Sequence, residues 1–418
     1  MEIVEIKKGY KHTKLGWIPD DWEVNHVGHY YDFKNGLNKE KEFFGYGTPI
    51  INYKDVYEHT YIKQSDVHGQ VSVNKSEKER YSTKRGDVFF TRTSETINEI
   101  GFTSVLIEDI IDGVFSGFVL RARPKEHKLI YPEFAGYCFN TFGVRKEIMR
   151  KSTYTTRALT NGSFLSEVFF AIPQYNEQKA IAKCLITWDT TITKLNALIK
   201  AKQKFKKGLM QQLLTGKRRL PGFNKEWHEK KLSYYIKYSP RPIQKPKTSF
   251  TKLGIKSHGK GTFQNNDFEP NDIAIDTLYQ VKKDDLIVNI TFAWEGAIAI
   301  VSEEDNNSLV SHRFPTYTFK NRVSDSSFFK QYIKTKRFQS FLELISPGGA
   351  GRNRVMNKKD FLKLKITIPE YDEQIAIAQI LSAADKEIQL LQEQLNQLKL
   401  QKKGMMQQLL TGKKRLNN

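Results

Sequence analysis

Side chains that discriminate one flat polar edge from another gather at a few places: Thr91-Arg92-Thr93, Arg157, Asn289 with Thr291, His312-Arg313 and Arg352-Asn353-Arg354. Such groups tell bases apart, a guanidinium fork matching guanine and a carboxamide matching adenine. Each segment is a candidate DNA contact, with a solvated or structural role as its alternative. Bond-making chemistry has weaker candidates. The glycine cluster Pro347-Gly348-Gly349-Ala350-Gly351 has no apolar strand before it and opens into arginines, so it lacks the strand–loop–helix setting of a cofactor loop. No Gly-x-x-x-x-Gly-Lys-Ser/Thr loop is present, which leaves no visible ATP site. Glu5 to Lys7 and Glu126 to Lys128 form Glu-x-Lys triplets, as chance provides in a Lys-rich chain. His26, His29 and His312 lie in basic segments without a repeated acidic partner, which argues against general-base duty. Cys138 and Cys184 are the only cysteines, too isolated for a disulfide framework or a zinc site. Neither catalytic residues nor metal ligands are expected.

The overall charge points the same way. Sixty-seven Lys and Arg against 46 Asp and Glu leave +21 over 418 residues. That excess favours a polyanion partner, because phosphate contacts release condensed counterions. A merely basic soluble protein is the alternative. Hydrophobic residues at 39% and aromatics at 12% exclude a disordered chain. The first residues show no signal-peptide pattern, and no apolar run reaches the roughly 20 residues that span a bilayer. A cytosolic protein without a membrane partner is therefore expected.

Two segments that could hold these side chains in place repeat each other. Residues 172–220 and 368–416 align without a gap at an offset of 196, with about half their positions identical. Both begin Ile-Pro-x-Tyr-x-Glu-Gln and end Gln-Gln-Leu-Leu-Thr-Gly-Lys-x-Arg-Leu. Ile377, Leu381, Ala384, Ile388, Leu391, Leu395, Leu398, Met405 and Leu409 follow heptad spacing, with Lys402 in the one gap. Ile181, Leu185, Trp188, Ile192, Leu195, Ile199, Leu209 and Leu213 keep the same frame, interrupted by Lys202 and Lys206. The pattern predicts two long helices that pair antiparallel along a seam. Trp188, Ile192, Leu195 and Ile199, with Ala384, Ile388, Leu391 and Leu395, are the seam or partner-docking candidates. Asn176 and Asp372 are the expected N-caps, and Gly216 and Gly412 the left-handed residues that end the helices. Each helix should run roughly 38 residues, or ~57 Å.

Between the helices the repetition is fainter. Leu15 to Trp22 and Leu220 to Trp227 share a spacing, so Leu416 corresponds to both Leu220 and Leu15 and the module is circular. An antiparallel pair would bring the chain ends together about a pseudo-two-fold axis. Residues 84–106 and 282–301 both read as a charged turn at Asp87 or Asp285, an apolar strand, a polar stretch with Gly101 or Gly296, and a second apolar strand, a hairpin pattern. Arg-bearing loops at 152–163 and 346–357 precede each helix. The expected fold class is α+β: two mixed α/β domains, 1–171 and 221–367, separated by two long antiparallel helices within 172–220 and 368–418.

In this order of parts, with its paired Ile-Pro-x-Tyr-x-Glu-Gln…Leu-Leu-Thr-Gly-Lys motifs and opening Trp-x-Pro-x-x-Trp, the sequence resembles the specificity subunits of type I restriction–modification systems over essentially its whole length. The resemblance implies that the globular parts are target recognition domains, each reading half of a split, asymmetric site in double-stranded DNA. It implies that the helices are spacers and a platform for two methyltransferase subunits, to which restriction and motor subunits add. S-adenosylmethionine, ATP and Mg2+ would then belong to those partners, and this chain would hold no cofactor. A stand-alone DNA-binding regulator and a coiled-coil assembly scaffold are the alternative readings.

Overall fold

The computed structural model describes residues 8–126, 128–348 and 354–416. The chain divides into two units, Met1–Leu195 with Gln394–Asn418, and Asn196–Glu393.

In unit 1 the strands that matter are β1 (Tyr31–Asn35), β2 (Tyr61–Ile62), β3 (Val88–Thr91), β4 (Thr93–Ser94), β5 (Thr103–Leu106), β6 (Val119–Pro124) and β7 (Ala158–Leu159). Five of them form a sheet in the order β1-β6-β3-β5-β2, antiparallel except where β5 meets β2. The central run Val88-Phe89-Phe90 is apolar throughout because both faces of the sheet are covered. Side chains alternate across a strand, so Val88 and Phe90 join Leu120 and Ala122 in one core while Phe89 joins Phe115 and Val119 in another. Asp87, 1% exposed, immediately precedes β3. Its carboxylate accepts two bonds of 2.7 Å from the Arg123 guanidinium and one of 2.8 Å from the Lys84 amide.

Unit 2 repeats that arrangement. Its strands β8 (Ile236–Tyr238), β9 (Leu286–Val288), β10 (Ile298–Ile300) and β11 (Thr316–Phe319) order as β8-β11-β9-β10, all antiparallel. Leu286 and Val288 face the main core, and Ile287 faces a second cluster with Ala299 and Val310. Asp285 takes the place of Asp87: it accepts from Arg241 at 2.6 and 3.0 Å and from the Lys282 amide at 2.7 Å. The two hairpins expected from sequence are therefore β3/β5 and β9/β10. Gly101 (φ +63°) and Gly296 (φ +71°) sit in the left-handed region before each second strand, where a side chain would be strained.

The repeated segments form α1 (Tyr175–Leu213) and α2 (Tyr371–Leu409), 39 residues each. In unit 1, Ile181 and Leu185 of α1 join Leu409 and Leu410 in the core, and Asp189 pairs with Lys402 at 2.5 Å. In unit 2, Ile377 and Leu381 of α2 join Leu213 and Leu214, and Asp385 pairs with Lys206 at 2.5 Å. Lys202 adds a 2.6 Å pair with Glu387. Within each unit the helical segments thus run antiparallel. The lysines that interrupt the apolar heptads are the ion-pair partners of the opposite helix. Leu195, Ile199 and Leu395 are buried, whereas Trp188, Ile192, Ala384, Ile388 and Leu391 are half-buried. No helix among the described residues is long and apolar enough to cross a membrane.

The N-cap expectation is corrected. Asn176 and Asp372 lie one residue inside helices that start at Tyr175 and Tyr371. The entry of each helix is held instead by a buried glutamine. The Gln178 amide group donates to the carbonyls of Pro173 (3.0 Å) and Leu129 (2.9 Å) and accepts from the Tyr131 N–H. Gln374 does the same with Pro369, Val323 and Asp325. The helix ends follow expectation, with Gly216 at φ +70° and Gly412 at φ +67°. Unit 1 also joins an N-terminal segment to a C-terminal one: the Tyr10 hydroxyl donates to the Gly412 carbonyl at 2.9 Å, and Arg415 binds Asp21 at 2.8 and 2.9 Å.

Candidate nucleic-acid interface

In unit 1 the polar candidates meet where β3 ends. The Arg92 N–H donates to the Phe118 carbonyl at 3.2 Å, and the Arg92 carbonyl accepts from the Thr160 N–H at 3.0 Å. Thr93 pairs with Leu159 between β4 and β7. Arg157, in the turn between Tyr154 and Ala158, is exposed and pairs with Glu95 at 3.1 Å. Arg92, Thr93 and Arg157 therefore share one end of the unit. Thr91 does not join them. It is fully buried, and its Oγ1 accepts from the Phe102 N–H at 2.9 Å, so it closes the hairpin and cannot reach a groove.

A cleft of about 470 Å³ opens beside Arg92, lined by Lys34, Asn35, Asn161 and Ser163 among others. Burial lowers the affinity of the Lys34 amine for its proton, and the guanidiniums of Arg121, Arg80 and Arg123 lower it further. Lys34 and Arg92 are the cations that line the cleft, and two cations on one cleft suit an anionic backbone.

Unit 2 builds the same frame with other side chains. The Ile290 N–H donates to the Arg313 carbonyl at 3.0 Å, and the Ile290 carbonyl accepts from the Met356 N–H at 2.9 Å. Ile290 thus stands where Arg92 stands in unit 1, Arg313 where Phe118 stands, and Met356 where Thr160 stands. Around this frame lie Asn289, whose Oδ1 accepts from the Thr291 N–H at 3.1 Å, and Thr291, whose carbonyl accepts from the Trp294 indole at 3.2 Å. His312 and Arg313 are exposed. Lys358, whose ammonium donates to the His312 carbonyl at 3.5 Å, was missed by the sequence reading.

Arg354 is half-buried. Its guanidinium lies 5.4 Å from the centre of the Trp294 ring, and its Nε donates to the Ser346 carbonyl at 3.2 Å, so it braces its own loop. Arg352 and Asn353 lie outside the described residues.

The turn that carries Phe118 was missed as well. Val119 N–H donates to the Ser116 carbonyl at 3.1 Å, and Phe314 N–H to the Ser311 carbonyl at 3.0 Å. Each closes a four-residue turn that begins at a serine and presents its third residue, Phe118 or Arg313. The signal was in the sequence: Val114-Phe115-Ser116 and Leu309-Val310-Ser311 are each two apolar residues followed by serine.

A family model described as the type I restriction modification DNA specificity domain matches residues 19–203 and again 224–400. The chain belongs to this specificity family. Two Methanocaldococcus jannaschii proteins named as type I restriction enzyme specificity subunits, MjaX and MjaVIII, are 26% and 22% identical to it. The alignments cover 98% and 96% of this chain and 97% and 95% of theirs. The crystal structure of a type I restriction–modification S subunit from M. genitalium shares the fold, with a TM-score of 0.56 at 14% identity, over 97% of this chain and 98% of that one. The double match of the specificity family falls on the two units found here, including the paired frames around Arg92 and Ile290.

The motif repeated at the start and end of each long helix is explained by contacts within each unit. In unit 1, Glu177 accepts from the Trp22 indole at 3.0 Å and from Arg415 at 2.6 and 2.7 Å. In unit 2, Glu373 accepts from the Trp227 indole at 3.1 Å and from Arg219 at 2.7 Å twice. The glutamate of Ile-Pro-x-Tyr-x-Glu-Gln, the tryptophan and the arginine of Gly-Lys-x-Arg-Leu form one clasp around a buried carboxylate, built twice.

Proposed function

We propose that this chain, as the DNA-specificity subunit of a type I restriction–modification complex, reads a bipartite, asymmetric site, one half with each unit. The observation that carries this is the pair of matching backbone frames, Arg92–Phe118–Thr160 and Ile290–Arg313–Met356, which present unlike side chains. One scaffold used twice with different contacts suits two different half-sites, since base edges are told apart by the side chains offered to them. Arg92, Thr93, Arg157, Asn289, Thr291, His312 and Arg313 are the proposed contacts. Lys34 and Lys358 hold phosphates.

The chain carries no chemistry of its own. Adenine methylation with S-adenosylmethionine, and ATP- and Mg2+-dependent cleavage, belong to two methyltransferase subunits and to restriction subunits in the cytosol. The methyltransferase subunits dock on the helices. Leu198 and Phe205, 43% and 63% exposed on α1 in unit 2, offer the apolar anchor that an interface core needs.

The test is methylated-adenine mapping in cells that express the chain with its methyltransferase partner. One motif with two unlike halves and a fixed gap is expected, and the purified chain alone should transfer no methyl group. Methylation at an uninterrupted motif, or independent of this chain, would refute the proposal.

A further inference from the structure

The two serine-opened turns point to a single residue in each unit that chooses a base. We infer that the third residue of each turn is a specificity determinant in the major groove: Phe118 contacts a thymine methyl in one half-site, and Arg313 bonds to a guanine in the other. This rests on the reading of the chain as a DNA-specificity subunit.

The argument starts from position. The strand register makes Phe118 and Arg313 equivalent: Val88 faces Ala122 and Leu286 faces Tyr317, so counting back along β6 and β11 reaches the same place. The hydrogen bonds from Arg92 and Ile290 to the carbonyls of Phe118 and Arg313 fix the turns against the strands that carry the other candidates. In unit 1 the turn is pinned further, because the Gly117 N–H donates to the Leu37 carbonyl at 2.8 Å. A Cβ at Gly117 would lie 1.8 Å from the Asn38 side-chain oxygen. A fixed turn holds its side chain at low entropic cost.

Chemistry then separates the two. Phe118 is 66% exposed beside Arg92, whose Nη1 reaches the Gly117 carbonyl at 3.4 Å. A lone exposed apolar ring needs no explanation by itself. Here it occupies the slot that in unit 2 holds an exposed arginine. In the major groove the apolar feature is the thymine methyl, and the best arginine target is the O6/N7 edge of guanine. The same slot therefore reads T in one half and G in the other.

The experiment uses the chain assembled with its methyltransferase subunits and duplexes carrying the mapped site. Each thymine of the half-site read by unit 1 is replaced in turn by deoxyuridine, which lacks only the methyl. One replacement should weaken binding roughly fourfold, the worth of one buried methyl group, and should have no effect on the Phe118→Ala complex. Each guanine of the other half-site is replaced by 7-deazaguanine. One replacement removes N7 but leaves O6, so it should weaken binding roughly 2- to 12-fold, about half the free energy of a bidentate contact, and the Arg313→Ala complex should be indifferent to it. The proposal is overturned if no replacement distinguishes a variant from the parent complex, or if both variants lose affinity equally for all sequences. Should the parent complex show no preference for the mapped site, the functional reading fails and the turns fall with it. Both side chains are exposed, so melting temperatures within a degree or two of the parent confirm that the variants fold.

Discussion

Arg415 and Glu177 are 238 residues apart in sequence and joined by two hydrogen bonds of 2.6 and 2.7 Å. Their counterparts Arg219 and Glu373 make the same pair at 2.7 Å twice. In unit 1 this pair ties the C-terminal segment to the start of α1, with Asp21 adding two further bonds. Hydrogen bonding to Arg415 holds the Asp21 carboxyl below its ordinary range.

Glu177 is 7% exposed, so removing Arg415 strands a buried carboxylate. Arg415→Met should destabilise the protein by about 1–2 kcal/mol, less than the 3–5 of a fully buried pair, because the arginine is partly solvated and screened. Glu177→Gln should cost a similar amount, and the double variant less than the two losses combined. Denaturant titrations of the four proteins check this. Fully additive losses would show that the two side chains do not interact.

The Asp385–Lys206 pair predicts a pH dependence. Burial would raise the Asp385 carboxyl, but hydrogen bonds from Lys206 and Gln331 outweigh it and hold the group below its ordinary range. A depressed folded-state value contributes stability above the unfolded-state value, about 4, and that contribution is lost as pH falls through the folded value. Asp385→Asn should therefore lower the melting temperature at pH 7 and flatten its decline below about pH 4. Melting curves at four or five pH values test this. A variant that loses as much stability on acidification as the parent would contradict it.

Much of this was legible in the chain because duplication leaves a strong trace. The helix seam, the capping glycines and the hairpins at Asp87 and Asp285 all stood out as repeated spacings. The clasp did not, since Glu177, Trp22 and Arg415 are distant in sequence and each alone reads as a surface or core residue. Thr91 was misread because a polar residue ending an apolar strand looks the same whether it faces solvent or, as here, closes the hairpin. Phe118 was passed over because an aromatic beside apolar strands is ordinarily core. Only the turn at Ser116 turns it outward.

Arg157 is expected to act on one half-site only. It is exposed and its ion pair with Glu95 is solvated, so its removal should leave the fold intact. Arg157→Ala should relax recognition in the half read by unit 1 by about 1–3 kcal/mol at one position, with the other half unchanged. Methylated-adenine mapping would show added motifs that differ only there. A uniform loss across all sequences would reassign Arg157 to phosphate binding.

The last expectation concerns the gap between half-sites. Both long helices pass from one unit to the other, α1 between Leu195 and Asn196 and α2 between Glu393 and Gln394. A heptad inserted at one of these points keeps the seam in register but lengthens that helix by about 10.5 Å. Either single insertion leaves the opposing helix short, so ion pairs such as Lys206–Asp385 and Lys402–Asp189 cannot both be kept, and the subunit should fold or assemble poorly. Inserting both restores the match. The double-insertion subunit should then recognise both original half-sites with a gap about three base pairs longer, at 3.4 Å per pair. The measurement is methylated-adenine mapping in cells carrying this subunit with its partners, once the complex is shown to be intact. An unchanged gap would mean that the recognition units, and not the helices, set the spacing, and would leave partner docking as the reason for the repeated helices.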